Sequence, residues 1–236
     1  MADRAAVAAR GGVASPEPAG AAPGKAAALA RIRETGVVAI MRHTEAALAV
    51  EAAEALLRGG VEVVEVTLNT AGATAMIRRL VGHFGARLLV GAGTVLSPAG
   101  VRQALEAGAR FIVAPNTDLK VIAECSRFGV PVVPGAFTPT EVVGAWAAGA
   151  DLVKVFPVSS VGPRYIRDLR GPLPDIPLVP TGGVTAENAA DFIRAGAAAV
   201  GAGSDLVDRA VVDRRDFAEL ERRAHAFAAA VRAARG

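Results

Sequence analysis

The sequence predicts a single (β/α)8 TIM barrel of the α/β class, and two repeating observations point to it. An alanine-rich helical pattern, a glycine and a short β-branched run follow one another five times, as in ALEAGARFIVAP and WAAGADLVKVF. The glycines stand where a helix end needs a left-handed residue: Gly60, Gly108, Gly129, Gly149 and Gly196. The length of 236 residues is also common for a one-domain barrel.

Eight predicted strands come from this repeat and from three further apolar runs, VVAIM, RLLVGAG and IPLVP. They begin near residues 37, 62, 87, 110, 130, 151, 177 and 198. The spacing of about 20 to 26 residues allows one strand and one helix each time. A doubly wound open sheet is the competing fold, but neither GAGTVL nor GAGSDL completes the G-x-G-x-x-G fingerprint. The stretch from Arg214 to Arg235 predicts one terminal amphipathic helix.

The chain divides into a predicted disordered tail, residues 1–24, and a barrel domain, residues 25–236. The tail is rich in Ala, Gly and Pro and has no apolar core of the length that a signal peptide needs. No uncharged run approaches the roughly 18 apolar residues of a membrane span, so no membrane partner is expected. The net charge of +3 is spread along the chain, which argues against a nucleic-acid partner. A single cysteine, Cys125, favours a reducing, cytoplasmic setting.

Lysine is rare in this chain and occurs only at Lys25, Lys120 and Lys154, although Lys and Arg together number 26. Lys154 lies in the middle of the apolar run DLVKVF. Imine formation explains a lysine there, because a guanidinium is effectively never deprotonated and only a neutral amine attacks a carbonyl. A buried amine loses its proton more readily than an exposed one.

Strand alternation predicts where this amine points. Leu152, Lys154 and Phe156 share one face of the sixth predicted strand, and Val153 and Val155 share the other. The valine pair suits the helix-packed outside, so the lysine is expected inside the barrel.

The second strand follows the same logic. Val64 and Val66 are expected to face outward, leaving Val63, Glu65 and Thr67 inside. An amine and a carboxylate would then share one apolar interior. A buried structural ion pair is one interpretation, but two buried charges cost several kcal/mol each, so we favour a chemical role. Glu65 would be the acid/base group that moves protons during imine chemistry.

Two glycine motifs end the seventh and eighth predicted strands. PTGG spans residues 180–183 and GAGS spans residues 201–204. Barrels often hold a phosphate at this place on backbone N–H groups. Either motif alone is also compatible with a tight turn, but the two together on adjacent strands favour a phosphate site.

Six motifs in order, EVTLNT, GAGTV, FIVAPN, KVFP, PTGGV and VGAGS, resemble the 2-dehydro-3-deoxy-phosphogluconate (KDPG) and 4-hydroxy-2-oxoglutarate (KHG) aldolase family. The resemblance spans roughly Ile32 to Val207. It implies a class I aldolase without metal or cofactor, usually a homotrimer, that splits a 2-keto-4-hydroxy acid into pyruvate and an aldehyde. The implied partner is thus a small keto acid substrate.

The resemblance also implies roles for single residues. Lys154 matches the imine lysine, Glu65 the general acid/base, and Thr94 a contact to the pyruvate carboxylate. The pocket wall is matched by Pro115, Phe156 and Thr181, and the phosphate site by Gly182, Gly183 and Ser204. Many members read EVTLRT with a substrate-binding arginine where this chain has Asn69. Arg42, which closes VAIMR and which other members share, is expected to point inward and could hold the carboxylate instead.

Two other functions stay open at this level. One is a phosphate-binding barrel isomerase or synthase in which the lysine acts only as a cation, and the other is a catalytically silent barrel used for binding or assembly. The substrate also stays open between gluconate-derived, galactonate-derived and unphosphorylated keto acids.

The remaining histidines, the cysteine and the tryptophan are expected to have structural roles. His43, His83 and His225 lack the spacing of a metal site and are expected to be solvated or packed. Cys125 is expected to pack within a helix. Trp146 is expected to anchor a helix to the barrel or to a neighbouring subunit.

Overall fold

The computed structural model describes residues 24–42 and 44–236. The predicted tail, apart from Gly24, and His43 therefore lie outside the described residues. The strands are β1 (Val37–Met41), β2 (Val63–Thr67), β3 (Leu89–Gly93), β4 (Ile112–Val113), β5 (Val132–Val133), β6 (Gly135–Ala136), β7 (Val153–Val155), β8 (Leu178–Pro180) and β9 (Val200–Ala202).

A helix precedes β1 and helices follow most of the strands. They are α1 (Lys25–Thr35), α2 (Ala49–Arg58), α3 (Ala73–Phe84), α4 (Pro98–Glu106), α5 (Leu119–Arg127), α6 (Pro139–Ala147), α7 (Gly162–Arg170), α8 (Ala189–Arg194), α9 (Arg209–Asp213) and α10 (Phe217–Arg235). None of the helices within the described ranges is both long enough and apolar enough to cross a membrane.

The prediction of one closed eight-stranded TIM barrel is wrong. The described strands form two parallel sheets, a curled six-stranded one in the order β5-β4-β3-β2-β1-β9 and a three-stranded one in the order β6-β7-β8. The α/β class and the parallel pairing agree with the sequence, whereas a single continuous ladder does not form.

Prolines lie at both places where the ladder is interrupted. The fifth predicted strand divides at Pro134: β5 before it pairs with β4, and β6 after it pairs with β7. Between β8 and β9 no ladder forms: an isolated bridge joins Thr181 to Gly201 directly after Pro180, and the Leu178 carbonyl accepts one hydrogen bond from the Ala198 N–H. Because proline has no N–H to donate, it cannot contribute that bond to a sheet ladder.

Side chains on the two faces of the sheets form two separate apolar clusters. The outer cluster lies between the sheets and the helices and includes Val64, Val66, Val153 and Val155. The inner cluster receives side chains from both sheet regions and from α1: Ala28, Ile32, Val38, Val63, Leu89, Phe111, Val113, Val133, Leu152, Val179 and Ala199. The two sheets therefore enclose one apolar interior, with α1 packed at the end where the strands begin.

Two local predictions can be compared with the backbone. The five repeat glycines all have positive φ, from 61° at Gly129 to 108° at Gly149, which confirms the predicted helix ends. The predicted terminal helix begins at Phe217 rather than Arg214. Arg215 is left-handed with φ of 58°, and the Asp216 side chain accepts a hydrogen bond from the Glu219 N–H and so caps the helix.

Candidate active site

The amine of Lys154 and the carboxyl of Glu65 are both buried in the interior between the sheets. Their residues are 4% and 2% exposed. Lys154 is the central residue of β7 and Glu65 the central residue of β2. The valines on either side of each of them pack in the outer cluster, so the alternation expected from the sequence holds in both strands.

A narrow apolar cavity brings the two groups together. It is lined by Ile32, Val38, Glu65, Phe111, Val113, Val133, Leu152, Lys154, Val179, Thr181 and Gly201. Seven of the lining residues belong to the inner cluster; the other four are Glu65, Lys154, Thr181 and Gly201. The cavity thus places an amine and a carboxyl against hydrocarbon, where electrostatic interactions are stronger than in water.

The two groups do not form the structural ion pair considered from the sequence. Among the salt bridges of the described residues, none joins Glu65 to Lys154 within 4.0 Å. The Lys154 Nζ instead lies 5.0 Å from the centroid of the Phe156 ring, at a distance typical of a cation–π contact. The amine is therefore held beside an aromatic face and is not neutralised by a directly bonded carboxylate.

Burial dominates the electrostatics of Glu65. Loss of solvent raises the pKa of this carboxyl above its ordinary value, while the positive charges of Lys154 and Arg42 act in the opposite direction. Its Oε1 is buried and has no hydrogen-bond partner in the described part of the chain. A carboxyl with a raised pKa takes up and releases protons closer to neutral pH than an ordinary one does.

A second, open pocket has a volume of about 650 Å³. Thr181 lines both, and the pocket wall includes six of the ten residues proposed from the sequence: Arg42, Phe156, Thr181, Gly182, Gly183 and Ser204. Gly182 and Gly183 have φ of 83° and 84°, a left-handed conformation that favours glycine. These glycines are therefore required by the turn itself, whether or not an anion binds there.

Thr94 and Pro115 line neither the cavity nor the open pocket. Thr94 directly follows β3 and is left-handed, with φ of 55°, which is unusual for a residue other than glycine. Pro115 follows β4, and its carbonyl packs against the backbone of Gly135 so closely that a side chain there would collide with it. Asn69 is exposed and also absent from the lining of both.

Sequence reasoning missed four charged residues that line the open pocket, Asp205, Asp208, Arg209 and Arg223. The Asp205 Oδ2 accepts a hydrogen bond of 3.2 Å from the Ala186 N–H, and the Asp205 carbonyl accepts one of 3.0 Å from Arg223. Asp205 thus joins the loop after β8 to the loop after β9 and to α10. Its position directly after GAGS was a local signal, whereas Arg223 lies in the distant terminal helix.

The residues assigned to structure do not gather at this site. Within residues 24–42 and 44–236, no group of three or more His, Cys, Asp or Glu side chains could hold a metal ion. His83 and His225 are exposed, as expected. Cys125 is packed in α5, and burial raises the pKa of its thiol to about 12. Trp146 packs against the outer cluster, which agrees with an anchor between α6 and the sheets.

Comparisons with known proteins agree on one family. A sequence profile described as KDPG and KHG aldolase matches residues 29–223. The chain is 39% identical to the 2-dehydro-3-deoxy-6-phosphogalactonate aldolase of Escherichia coli, over 84% of this chain and 94% of the relative. It is 36% identical to the 2-dehydro-3-deoxy-phosphogluconate aldolase of Pseudomonas aeruginosa, over 80% and 86%.

A solved structure adds a chemical observation about a relative. The KDPG aldolase from Legionella pneumophila, with pyruvate captured as a covalent carbinolamine intermediate, superimposes with a TM-score of 0.79 at 27% identity. The match covers 85% of this chain and 97% of that one. The chain therefore belongs to the KDPG and KHG aldolase family of aldehyde-lyases.

Proposed function

We propose that Lys154 forms the Schiff base in this class I aldolase and that Glu65 moves the protons. The observation that carries the proposal is the burial of an amine and a carboxyl in one apolar cavity with no salt bridge between them. Imine formation needs an amine that is free to attack a carbonyl carbon, and no carboxylate bonds to this one. The open pocket that adjoins the cavity supplies room for the rest of a substrate.

The reaction follows from the chemistry of an imine. The Lys154 nitrogen attacks C2 of a 2-keto-4-hydroxy acid, and loss of one water leaves an imine. Removal of the C4 hydroxyl proton lets the C3–C4 bond break, so that an aldehyde leaves and the electron pair forms an enamine. The enamine takes up a proton at C3, and one water hydrolyses the imine to pyruvate and the free amine.

Glu65 is the group placed to transfer these protons. It faces the same cavity as the amine, and its pKa is raised by burial, which suits a group that must both accept and donate near neutral pH. Hydroxyl deprotonation at C4 and proton return at C3 then use one carboxyl in its two protonation states.

The open pocket orients the substrate. Arg42 holds the carboxylate in place of the arginine that Asn69 replaces, and Thr94 is a further proposed carboxylate contact. Pro115, Phe156 and Thr181 form the wall. Gly182, Gly183 and Ser204 bind a phosphate through backbone N–H groups and the Ser204 hydroxyl. The substrate is a 2-keto-3-deoxy-6-phospho sugar acid, which yields glyceraldehyde 3-phosphate, or the shorter 4-hydroxy-2-oxoglutarate, which yields glyoxylate.

Borohydride reduction tests the nucleophile, because it makes an imine permanent. Wild-type protein incubated with pyruvate and borohydride should gain the mass of one reduced pyruvate adduct, and peptide mapping should place it on Lys154. Lys154→Arg keeps the positive charge but supplies no neutral amine, so it should show neither adduct nor cleavage.

Lys25 and Lys120 are internal controls for this experiment. Lys25 pairs with Asp151 at 2.9 Å, and Lys120 is exposed at the start of α5. An adduct on either of them, or cleavage that survives in Lys154→Arg, contradicts the assignment.

The quaternary structure and the location are part of the same proposal. The chain assembles as a homotrimer, and among the described residues four exposed large apolar side chains offer surface to cover: Leu96, Leu119, Phe128 and Val143. Sedimentation should give the mass of three chains. A cytoplasmic location is consistent with the single, reduced Cys125.

A further inference from the structure

The carboxyl of Glu65 lies in a recess that exists because residue 93 has no side chain. A Cβ placed on Gly93 would lie 2.5 Å from the Glu65 Cγ and closer still to its Cδ and Oε1. Non-bonded carbon atoms at their optimal separation are about 3.5 to 4.0 Å apart, so the two side chains cannot share this space. The three heavy atoms nearest to that missing Cβ all belong to Glu65.

Strand alternation explains why residue 93 faces the carboxyl. Val90 and Ala92 of β3 belong to the outer cluster and Leu89 to the inner one, so Gly91 and Gly93 point inward. In the register between β2 and β3, Glu65 is opposite Gly91. Its side chain therefore extends along β3 to the next inward position, which is Gly93.

The neighbouring inward glycine serves a different side chain. A Cβ on Gly91 would collide with the Phe111 ring, whose Cδ1 lies 2.5 Å from that position. The two glycines of β3 thus make room for an apolar ring and for an ionisable group respectively. Backbone conformation does not demand glycine at either position, since neither has a positive φ.

We propose that Gly93 is a positioning residue for the aldol reaction: its missing side chain lets the Glu65 carboxyl lie against β3, beside the cavity of Lys154. This inference rests on the proposed role of Glu65 as the proton-transfer group. A methyl group at residue 93 turns the carboxyl away from the recess, and the carboxyl then no longer reaches the substrate in the geometry that proton transfer requires. Burial in the recess raises the pKa of Glu65, which agrees with this placement, and its Oε1 receives no hydrogen bond there.

Gly93→Ala tests the inference, with Gly144→Ala as its matched control. Gly144 lies in α6, and a Cβ there would meet nothing within 4 Å. Gly93→Ala should lower kcat roughly 10- to 100-fold, the scale of a misplacement of about 1 Å in a catalytic group. It should also shift the acidic limb of the kcat pH profile. Gly144→Ala should leave both kcat and the pH profile unchanged.

Combination with Glu65→Gln separates positioning from general damage. If Gly93 acts only through the carboxyl, Gly93→Ala should cost no further activity once Glu65→Gln is present. Pyruvate trapping by borohydride should persist in Gly93→Ala, because Lys154 is untouched. An equal loss of kcat in both backgrounds, or loss of trapping in the single variant, overturns the inference.

If Gly93→Ala folds poorly, a measurement of folding stability still tests the inference. Shortening the neighbour in Glu65→Ala removes the three heavy atoms nearest to the new methyl group. The midpoint of urea unfolding should then be the same in Glu65→Ala with and without Gly93→Ala. A double variant as unstable as Gly93→Ala alone would show that the methyl group collides with something other than Glu65.

The two proposals fail in different ways. Unchanged turnover in Glu65→Gln removes the proton-transfer role and the positioning inference with it. If turnover collapses in Glu65→Gln but stays at the wild-type level in Gly93→Ala, the proposed function still holds. Only the inference about Gly93 is then overturned.

Discussion

The cavity of Lys154 and Glu65 and the open pocket of Gly183 and Ser204 adjoin at Thr181, yet they differ in almost every physical property. The cavity is lined by the inner apolar cluster, and its two ionisable groups are nearly inaccessible. In the pocket, Gly183 and Ser204 are exposed and charged side chains of both signs line the wall. One region is buried and apolar, and the other is open and carries charged side chains.

Under the proposed function, the cavity carries out the chemical step and the open pocket recognises the substrate. The loss of solvent raises the pKa of the buried Glu65 carboxyl, and the burial of ionisable groups has a cost in folding free energy. An exposed anion site has no such cost, because its groups stay hydrated until the ligand arrives, and its contribution to binding is correspondingly smaller. Substitutions in the cavity should therefore change turnover strongly, and those in the pocket should mainly change binding.

The largest effect after loss of the lysine is expected at the buried carboxyl. Glu65→Gln keeps the size of the side chain but cannot cycle a proton, so kcat should fall roughly 10² to 10⁴-fold. Stopped-flow or coupled assays of pyruvate release measure this directly. Glu106→Gln, on an exposed position of α4, is the control and should behave as wild type. Turnover unchanged in Glu65→Gln would leave this carboxyl a structural role only.

A smaller effect is expected at Arg42, which lies between the two regions. This exposed arginine lines the open pocket, yet its charge still acts on the Glu65 carboxyl. Arg42→Ala should weaken pyruvate binding by about 1.5 to 3 kcal/mol, the scale of a charge-assisted hydrogen bond. Titration calorimetry of pyruvate measures it, with the exposed Arg33→Ala in α1 as control.

The Arg42→Ala measurements also show whether Arg42 contacts the substrate's carboxylate or its phosphate. Weakened binding of pyruvate and of every keto acid agrees with a carboxylate contact. Unchanged pyruvate binding with a raised KM for phosphorylated substrates alone would assign Arg42 to the phosphate and contradict the proposed role.

The smallest effect is expected at the exposed end of the pocket. Ser204→Ala removes one neutral hydroxyl, so KM for a 6-phosphorylated substrate should rise roughly 2- to 10-fold, while kcat and the KM for 4-hydroxy-2-oxoglutarate stay unchanged. Ser204 is a cleaner probe than Gly182 or Gly183, whose left-handed backbone would be strained by any side chain. Ser126→Ala, exposed in α5, is the control.

If Ser204→Ala raised KM equally for both substrates, the hydroxyl would not be a phosphate contact. If kcat fell as far as in Glu65→Gln, the separation between a chemical cavity and a binding pocket would be wrong.

Much of this arrangement could be predicted from local pattern. Alternation in β2 and β7 predicted that Glu65 and Lys154 face the interior, because side chains in a strand alternate strictly and the valines needed the helix-covered face. The glycine of each repeat predicted a left-handed helix end, and the backbone agrees. These features depend on residues within one element or its immediate neighbours.

Other features could not be predicted because they depend on distant parts of the chain. Pro134 and Pro180 were visible in the sequence, but only strand pairing shows that the ladder divides at one and weakens after the other. Arg223 reaches the pocket from the terminal helix, and no periodicity in α10 indicates it. Thr94 and Pro115 match family motifs, yet neither lines the cavity or the pocket.

The sequence by itself determined the α/β class, the inward direction of the Glu65 and Lys154 side chains, the glycines at the helix ends and the likeness to one aldolase family. Short-range sterics and hydrophobic alternation act between near neighbours, so they can be recognised along a single chain. Only the tertiary structure decided that two sheets form, that no salt bridge joins the amine and the carboxyl in their shared interior, and that Gly93 makes room for Glu65. Those properties arise where strands far apart in sequence come within van der Waals distance, and close packing there depends on the shape of every neighbour at once.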